Sequence, residues 1–184
     1  MKQNICSLLL LTMFACQGRQ TVEQSDFTVT GEAQQTVFQS LMSLTLNNIP
    51  DSTRKDSLVF LILPVQKICP GCRMKTIDSL DKHKKHFPNN HYMIISAQGG
   101  FKTISTFFWE RKTEIPNNLS GRLFLDSTDQ ANQFDLYDKK PTIYYSYQGK
   151  VYRKVSAIPQ TVKQDLQEYF SGYRTINEGA LTKK

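Results

Sequence analysis

The stretch that decides the fold is Leu58-Val59-Phe60-Leu61-Ile62-Leu63, followed after Pro64 and a short loop by Cys69-Pro70-Gly71-Cys72 and then by Arg73 to His86. Six consecutive apolar residues have strand length and suit a central strand buried on both faces. Beyond the cysteines, Met74, Ile77 and Leu80 recur at helical spacing, and Phe87-Pro88-Asn89-Asn90 ends the run. Two cysteines are thus delivered from the end of a buried strand to the start of a helix. Cys69 and Cys72 are also the two of the four cysteines expected to remain as free thiols in the mature chain.

The other two cysteines lie in an expected export signal. Met1 to Asn4 gives a short positive start, Ile5 to Phe14 is apolar apart from Thr12, and Ala15-Cys16 closes the segment. The apolar run is too short for a permanent membrane span and reads as a cleaved signal, residues 1–15. A small residue before a cysteine is similar to the lipobox of bacterial lipoproteins, in which Cys16 becomes the lipidated N-terminus. Met13 and Phe14 are looser than the usual pattern, and an ordinary secretory signal is the alternative. Cys6 is discarded either way.

After Cys16 the composition turns to Gln, Ser, Thr and Glu, so residues 16–35 are expected to form a flexible tether. Residues 36–175 then suit a single domain and 176–184 a polar tail. Lys and Arg total 23 against 16 Asp and Glu, a formal charge of +7 that becomes +6 without Lys2. In an exported chain this excess suits anionic lipid, acidic partners or a solvated basic surface, and no nucleic-acid partner is expected. Neither an internal repeat nor a glycine-rich phosphate loop is found.

Around this centre the elements alternate. Gly31 to Asn48 carries Val37, Leu41 and Leu44 at helical spacing. His91 to Ser96 reads as a second buried strand, Gly99-Gly100 as a break, and Phe101 to Arg111 as a helix. Leu123 to Asp126 reads as a third strand, and Asn132 to Leu136 as a short helix or turn. Gln148-Gly149 joins Thr142–Tyr147 to Lys150–Val155 as a hairpin. Thr161 to Phe170 closes the domain as a helix. The expected class is α/β, a three-layer sandwich with a central mixed sheet flanked by helices.

These residues resemble a thioredoxin-fold protein of the membrane-anchored TlpA/ResA-like group, over roughly Leu58 to Tyr173. The resemblance is carried by the CxxC after the first core strand, Phe124-Leu125-Asp126 through Phe134-Asp135-Leu136-Tyr137, Pro141-Thr142 opening a hairpin strand, and Gln148-Gly149-Lys150 at its turn. It implies thiol-disulfide exchange without a cofactor, with cysteine-containing protein substrates, a redox partner and a lipid anchor in the bacterial envelope, facing the periplasm. It also implies that Pro141 is cis and faces the cysteines. Pro70, Gly71, Lys140, Pro141 and Thr142 would then shape a groove for an extended substrate.

The chemistry requires these residue types. A thiolate attacks a disulfide, and a helix N-terminus supplies oriented N–H groups and positive potential that favour ionisation. Cys69 is the expected nucleophile and Cys72, one turn on, the resolving thiol. Pro70 fits the first helical position because its missing N–H would be unpaired there. Three departures stand out: Leu63 replaces an acid that helps deprotonate the resolving cysteine in the family, Ile68 replaces an aromatic, and Lys140 replaces a small or β-branched residue. The cations Arg73 and Lys140 are expected to stabilise the Cys69 thiolate.

Other groups are read more plainly. His83 and His86 belong to a charged helical face, no metal site is expected, and copper handling through His91 is a minor alternative. Phe107-Phe108-Trp109 is expected to pack in the core, and Tyr144, Tyr145 and Tyr147 to be ordinary strand residues. The Asn118-Leu119-Ser120 sequon carries little weight. The competing function class is a non-catalytic thioredoxin-fold lipoprotein acting in partner docking or metal handling.

Overall fold

In the computed structural model the described residues are 25–66, 69–83, 85, 87–116, 119 and 121–172. The signal segment, Cys16, His86 and the polar tail lie outside them. The sheet contains β1 (Asp26–Thr28), β2 (Leu58–Pro64), β3 (His91–Ser96), β4 (Leu123–Asp126), β5 (Thr142–Tyr147) and β6 (Lys150–Ser156), in the order β1-β6-β5-β2-β3-β4. β2, β3 and β4 run parallel, whereas β5 and β6 are antiparallel to their neighbours, and β1 pairs with the outer edge of β6. The helices are α1 (Ala33–Leu44), α2 (Asp51–Arg54), α3 (Pro70–His83), α4 (Gly100–Glu110), α5 (Gln130–Gln133) and α6 (Val162–Ser171). The mixed sheet between helical layers is the expected class, in a thioredoxin-like arrangement of strand, CxxC helix, strand and closing hairpin with helix.

Strand periodicity divides the core. Successive β2 side chains point to opposite faces, so Val59, Leu61 and Leu63 enter one cluster, with α3, α4 and α6, while Leu58, Phe60 and Ile62 enter another, with α1 and α5. All seven β2 residues are buried, as a strand flanked by β3 and β5 and covered on both faces must be. Pro64 is its last residue rather than a stop before it, opposite Ser96, and the ladder continues from the Val65 N–H to the Ser96 carbonyl at 3.0 Å. At the hairpin, Gln148 and Gly149 both have positive φ, 50° and 72°, the twist that a two-residue turn needs to match its strands.

Several expectations are corrected here. The ordered body starts before residue 36: β1 lies within the stretch read as tether, held by Arg153, whose guanidinium pairs with Asp26 at 2.8 Å and with Glu168 at 2.8 Å. Met74 is 46 % exposed, because the inward stripe of α3 runs through Cys72, Thr76, Ile77 and Leu80 and Met74 lies half a turn away. Trp109 is 77 % exposed, whereas Phe107 and Phe108 are buried with Ile104. A helix cannot bury three consecutive side chains against one flat sheet. Tyr144 and Tyr169 are fully buried, and their hydroxyls donate to the carbonyls of Leu136 and Tyr92 at 2.5 and 2.9 Å.

Candidate active site

Cys69 immediately precedes α3 and serves as its N-terminal cap. Its carbonyl accepts the Arg73 N–H at 2.9 Å, the first intrahelical bond, and its Sγ accepts the Cys72 N–H at 3.2 Å. A sulfur thus takes the place that a serine or aspartate oxygen holds at other helix starts, satisfying an N–H that would lack a partner within the helix. Pro70 occupies the first helical position, as expected. Gly71 is exposed, and a Cβ built on it meets no atom within 4 Å, so the surface over the motif is open. Gly71→Ala is accordingly expected to raise stability by about 0.5 kcal/mol, since it removes backbone freedom of the unfolded chain without a clash; an unchanged or lowered denaturant midpoint would contradict this.

The two thiols are free and unequal. Burial pushes the Cys69 thiol upward, but the hydrogen bond from the Cys72 thiol, the N–H groups of Cys72 and Gly71 and the charge of Lys75 outweigh it and hold Cys69 below the ordinary thiol value. Cys72 is fully buried, and burial first, then its hydrogen bond to Cys69 and the Cys69 charge, push it up to about 12. The environments therefore separate an ionisable, partly exposed sulfur from a protonated, inaccessible one. The cation acting on Cys69 is Lys75, one helical turn beyond Gly71, whose Nζ also donates to the Pro159 carbonyl at 3.2 Å. The expectation for Arg73 is corrected, because its guanidinium lies over the Phe107 ring, 5.3 Å from the centroid.

The loop before β5 reaches the cysteine through its backbone: the Cys69 N–H donates to the Lys139 carbonyl at 3.4 Å. Pro141 is buried and its peptide bond is not cis, contrary to what the resemblance implies; no described peptide bond is cis. The backbone turns two residues earlier, where Lys139 adopts the left-handed conformation with φ 47°. Thr142 is buried, and its hydroxyl donates to the Lys140 carbonyl at 3.1 Å, so it braces the loop from behind. Gln66, which sequence reasoning did not single out, ties the cysteine loop to the next: its Oε1 accepts the N–H groups of Gln98 and Gly99 at 2.9 and 3.3 Å.

Leu63 is fully buried on the same face of the sheet as Cys72, so the position where the family places an acid is apolar here. His91 lies on that face too, among Phe87 and Tyr169, with ring centroids 6.4 and 5.1 Å away. His83 stacks on Phe170 at 5.5 Å. No group of three or more His, Cys, Asp or Glu residues placed to hold a metal occurs among the described residues.

No family model and no curated protein matches the chain. Among solved structures it is similar to a protein of Chlorobium tepidum assigned as thiol:disulfide interchange protein DsbE, at 13% identity over 65% of this chain and 82% of the other, with a TM-score of 0.40. A PrxQ variant from Xylella fastidiosa shares 11% identity over 67% and 81% of the two chains, with a TM-score of 0.42. The thioredoxin domain of a thiol-disulfide oxidoreductase from Bacteroides vulgatus shares 12% over 65% and 83%, with a TM-score of 0.38.

Proposed function

We propose that this chain is an extracytoplasmic thiol-disulfide oxidoreductase, anchored to the bacterial envelope through lipidated Cys16 and facing the periplasm. The observation that carries the reading is the unequal pair at the start of α3: Cys69 held below the ordinary thiol value and partly exposed, Cys72 buried behind it and pushed up to about 12. In the reductive direction the Cys69 thiolate attacks one sulfur of a substrate disulfide, forming a mixed disulfide and releasing the other sulfur as a thiolate. Cys72 then loses its proton and attacks Cys69 Sγ. The substrate's second thiolate departs, and the chain is left with a Cys69–Cys72 disulfide, oxidised by the two electrons the substrate gained. A redox partner restores the dithiol. Protein substrates fit the open surface at Pro70 and Gly71, with the Lys140-Pro141 loop beside Cys69.

One observation favours the second reading, a docking module with little turnover. With Leu63 in place of an acid, no carboxylate stands among the causes acting on the buried Cys72 within the described residues, and a resolving thiol without such a base is expected to react slowly. Insulin reduction in the presence of dithiothreitol separates the readings. The oxidoreductase predicts a rate well above that of dithiothreitol alone, lost in Cys69→Ser, whereas equal rates for wild type and Cys69→Ser leave the docking module.

A further inference from the structure

A groove of about 250 Å³ opens beside the cysteine helix, between α3 and α4, lined by Val65, Arg73, Lys102, Thr103, Thr106, Phe107 and Glu110. Arg73 follows Cys72 directly, so the groove starts within one residue of the resolving cysteine. The Arg73 guanidinium lies over Phe107, 5.3 Å from the ring centroid, and its Nη groups are what it can offer a ligand. Its Nε is closed to solvent and has no hydrogen-bond partner among the described residues. Leaving such a donor unpaired is costly, above all on a cation. Lys102 and the side chains of Thr103 and Thr106 add donors along the α4 side, and two cations face a single carboxylate, Glu110, among the lining residues.

We propose that this groove is an anion subsite that receives a carboxylate side chain, Glu or Asp, next to the target cysteine of a substrate polypeptide. The inference deepens the oxidoreductase reading and rests on it for the identity of the substrate. A planar carboxylate meets the two Nη groups of Arg73, which unlike Nε are not closed off, as two parallel hydrogen bonds, and Lys102 supplies a second positive charge. The contact with Phe107 holds the guanidinium at the groove beforehand, so less ordering is needed on binding. The excess of basic residues in the whole chain, 23 against 16, would draw acidic segments toward this surface.

Two measurements on the reduced full chain test the subsite. The first follows the Arg73 Nε–H resonance, identified by its loss in Arg73→Lys, during titration with acetyl-Ser-Glu-Ser-amide and with acetyl-Ser-Gln-Ser-amide. A saturable shift with the Glu peptide alone supports the subsite, and no Glu-dependent shift overturns it. This arm involves no sulfur chemistry.

The second compares rate constants for reaction of the dithiol with 5,5′-dithiobis(2-nitrobenzoate), which carries two carboxylates, and with neutral 4,4′-dithiodipyridine. In both, the dithiol becomes the Cys69–Cys72 disulfide and the probe is reduced to two thiols. Arg73→Gln is expected to lower the rate with the charged probe about tenfold more than that with the neutral one, the loss of one charge-assisted contact. Glu110→Gln is expected to move the ratio the other way. Equal effects of Arg73→Gln on both probes would overturn the proposal. If neither probe reacts faster than with Cys69→Ser while the peptide shift persists, the oxidoreductase reading fails and the subsite stands as a docking site for acidic segments.

Discussion

Iodoacetamide at pH 8 is expected to label Cys69 and leave Cys72 unmodified. A thiol at the reference value of 9.0 is about one-tenth ionised at that pH, whereas one pushed up to about 12 is ionised only to about one part in ten thousand. Ionisation alone thus suppresses Cys72 roughly a thousandfold, and its complete burial adds to this. Cys69 combines partial exposure with a lowered value, so it reacts on the acid side of an ordinary thiol. Alkylating Cys69 removes its hydrogen bond and charge from Cys72, but burial, the largest cause of the shift, remains. Peptide mapping of the labelled full chain distinguishes the sites. Comparable labelling of both would mean that the asymmetry on which the mechanism depends is absent. Cys72→Ala removes the thiol that hydrogen-bonds Cys69, so the midpoint of the Cys69 pH–rate curve is expected to move upward.

Much of this arrangement is legible in residue order because it depends on short-range rules. A six-residue apolar run, a proline one position after a cysteine and a helical stripe through Ile77 and Leu80 place the cysteine pair at a helix start without knowledge of the rest of the chain. What the sequence leaves open depends on rotation and on distant contacts. Whether Met74 or Thr76 faces inward is decided by where α3 begins and how it lies on the sheet. Which cation reaches Cys69 depends on the same rotation, and it selects Lys75 rather than Arg73. β1 is invisible as an element because three polar and aromatic residues, Asp26-Phe27-Thr28, have no periodicity; it forms because β6 has a free edge and Arg153, opposite Thr28, reaches across to the Asp26 carboxylate.

The loop before β5 shows the same division. Pro141-Thr142 marks the start of the hairpin strand, and β5 does begin at Thr142. How the chain turns into it is a backbone property of Lys139, whose left-handed φ nothing in its residue type announces. The backbone contact from Cys69 to Lys139 is therefore found only in the folded chain, although both partners sit next to residues already singled out. Gln66 is not legible for a similar reason: its amide links two loops 32 residues apart in sequence.

The fold is expected to lose stability in acid through His91. The side chain is 2 % exposed, and burial first, with the Arg122 charge second, lowers it to about 4. Asn90 Nδ2 donates to the Ser57 carbonyl at 2.9 Å, which leaves its Oδ1 to accept from His91 Nδ1 at 2.9 Å and fixes the neutral tautomer protonated on Nδ1. Phe87 and Tyr169 cover the ring, and Arg122, anchored on the carbonyls of Phe87 and Pro88, opposes a second positive charge. In the unfolded chain the imidazole titrates near 6.5. Between that value and about 4 the unfolded state binds the proton and the folded state does not, so stability falls as pH falls through this window. The span of about 2.5 units corresponds to about 3 kcal/mol lost on acidification from pH 7 to pH 4. Asp165, whose carboxyl is raised mainly by burial, acts in the opposite sense near the carboxylate range and offsets part of this loss at the acid end. Urea denaturation of wild type and His91→Phe at pH 7 and at pH 4.5 measures the effect. The variant loses the Asn90 hydrogen bond and is expected to be less stable at pH 7, yet to show a much flatter decline on acidification. An equally steep decline in both proteins would assign the acid lability to other groups.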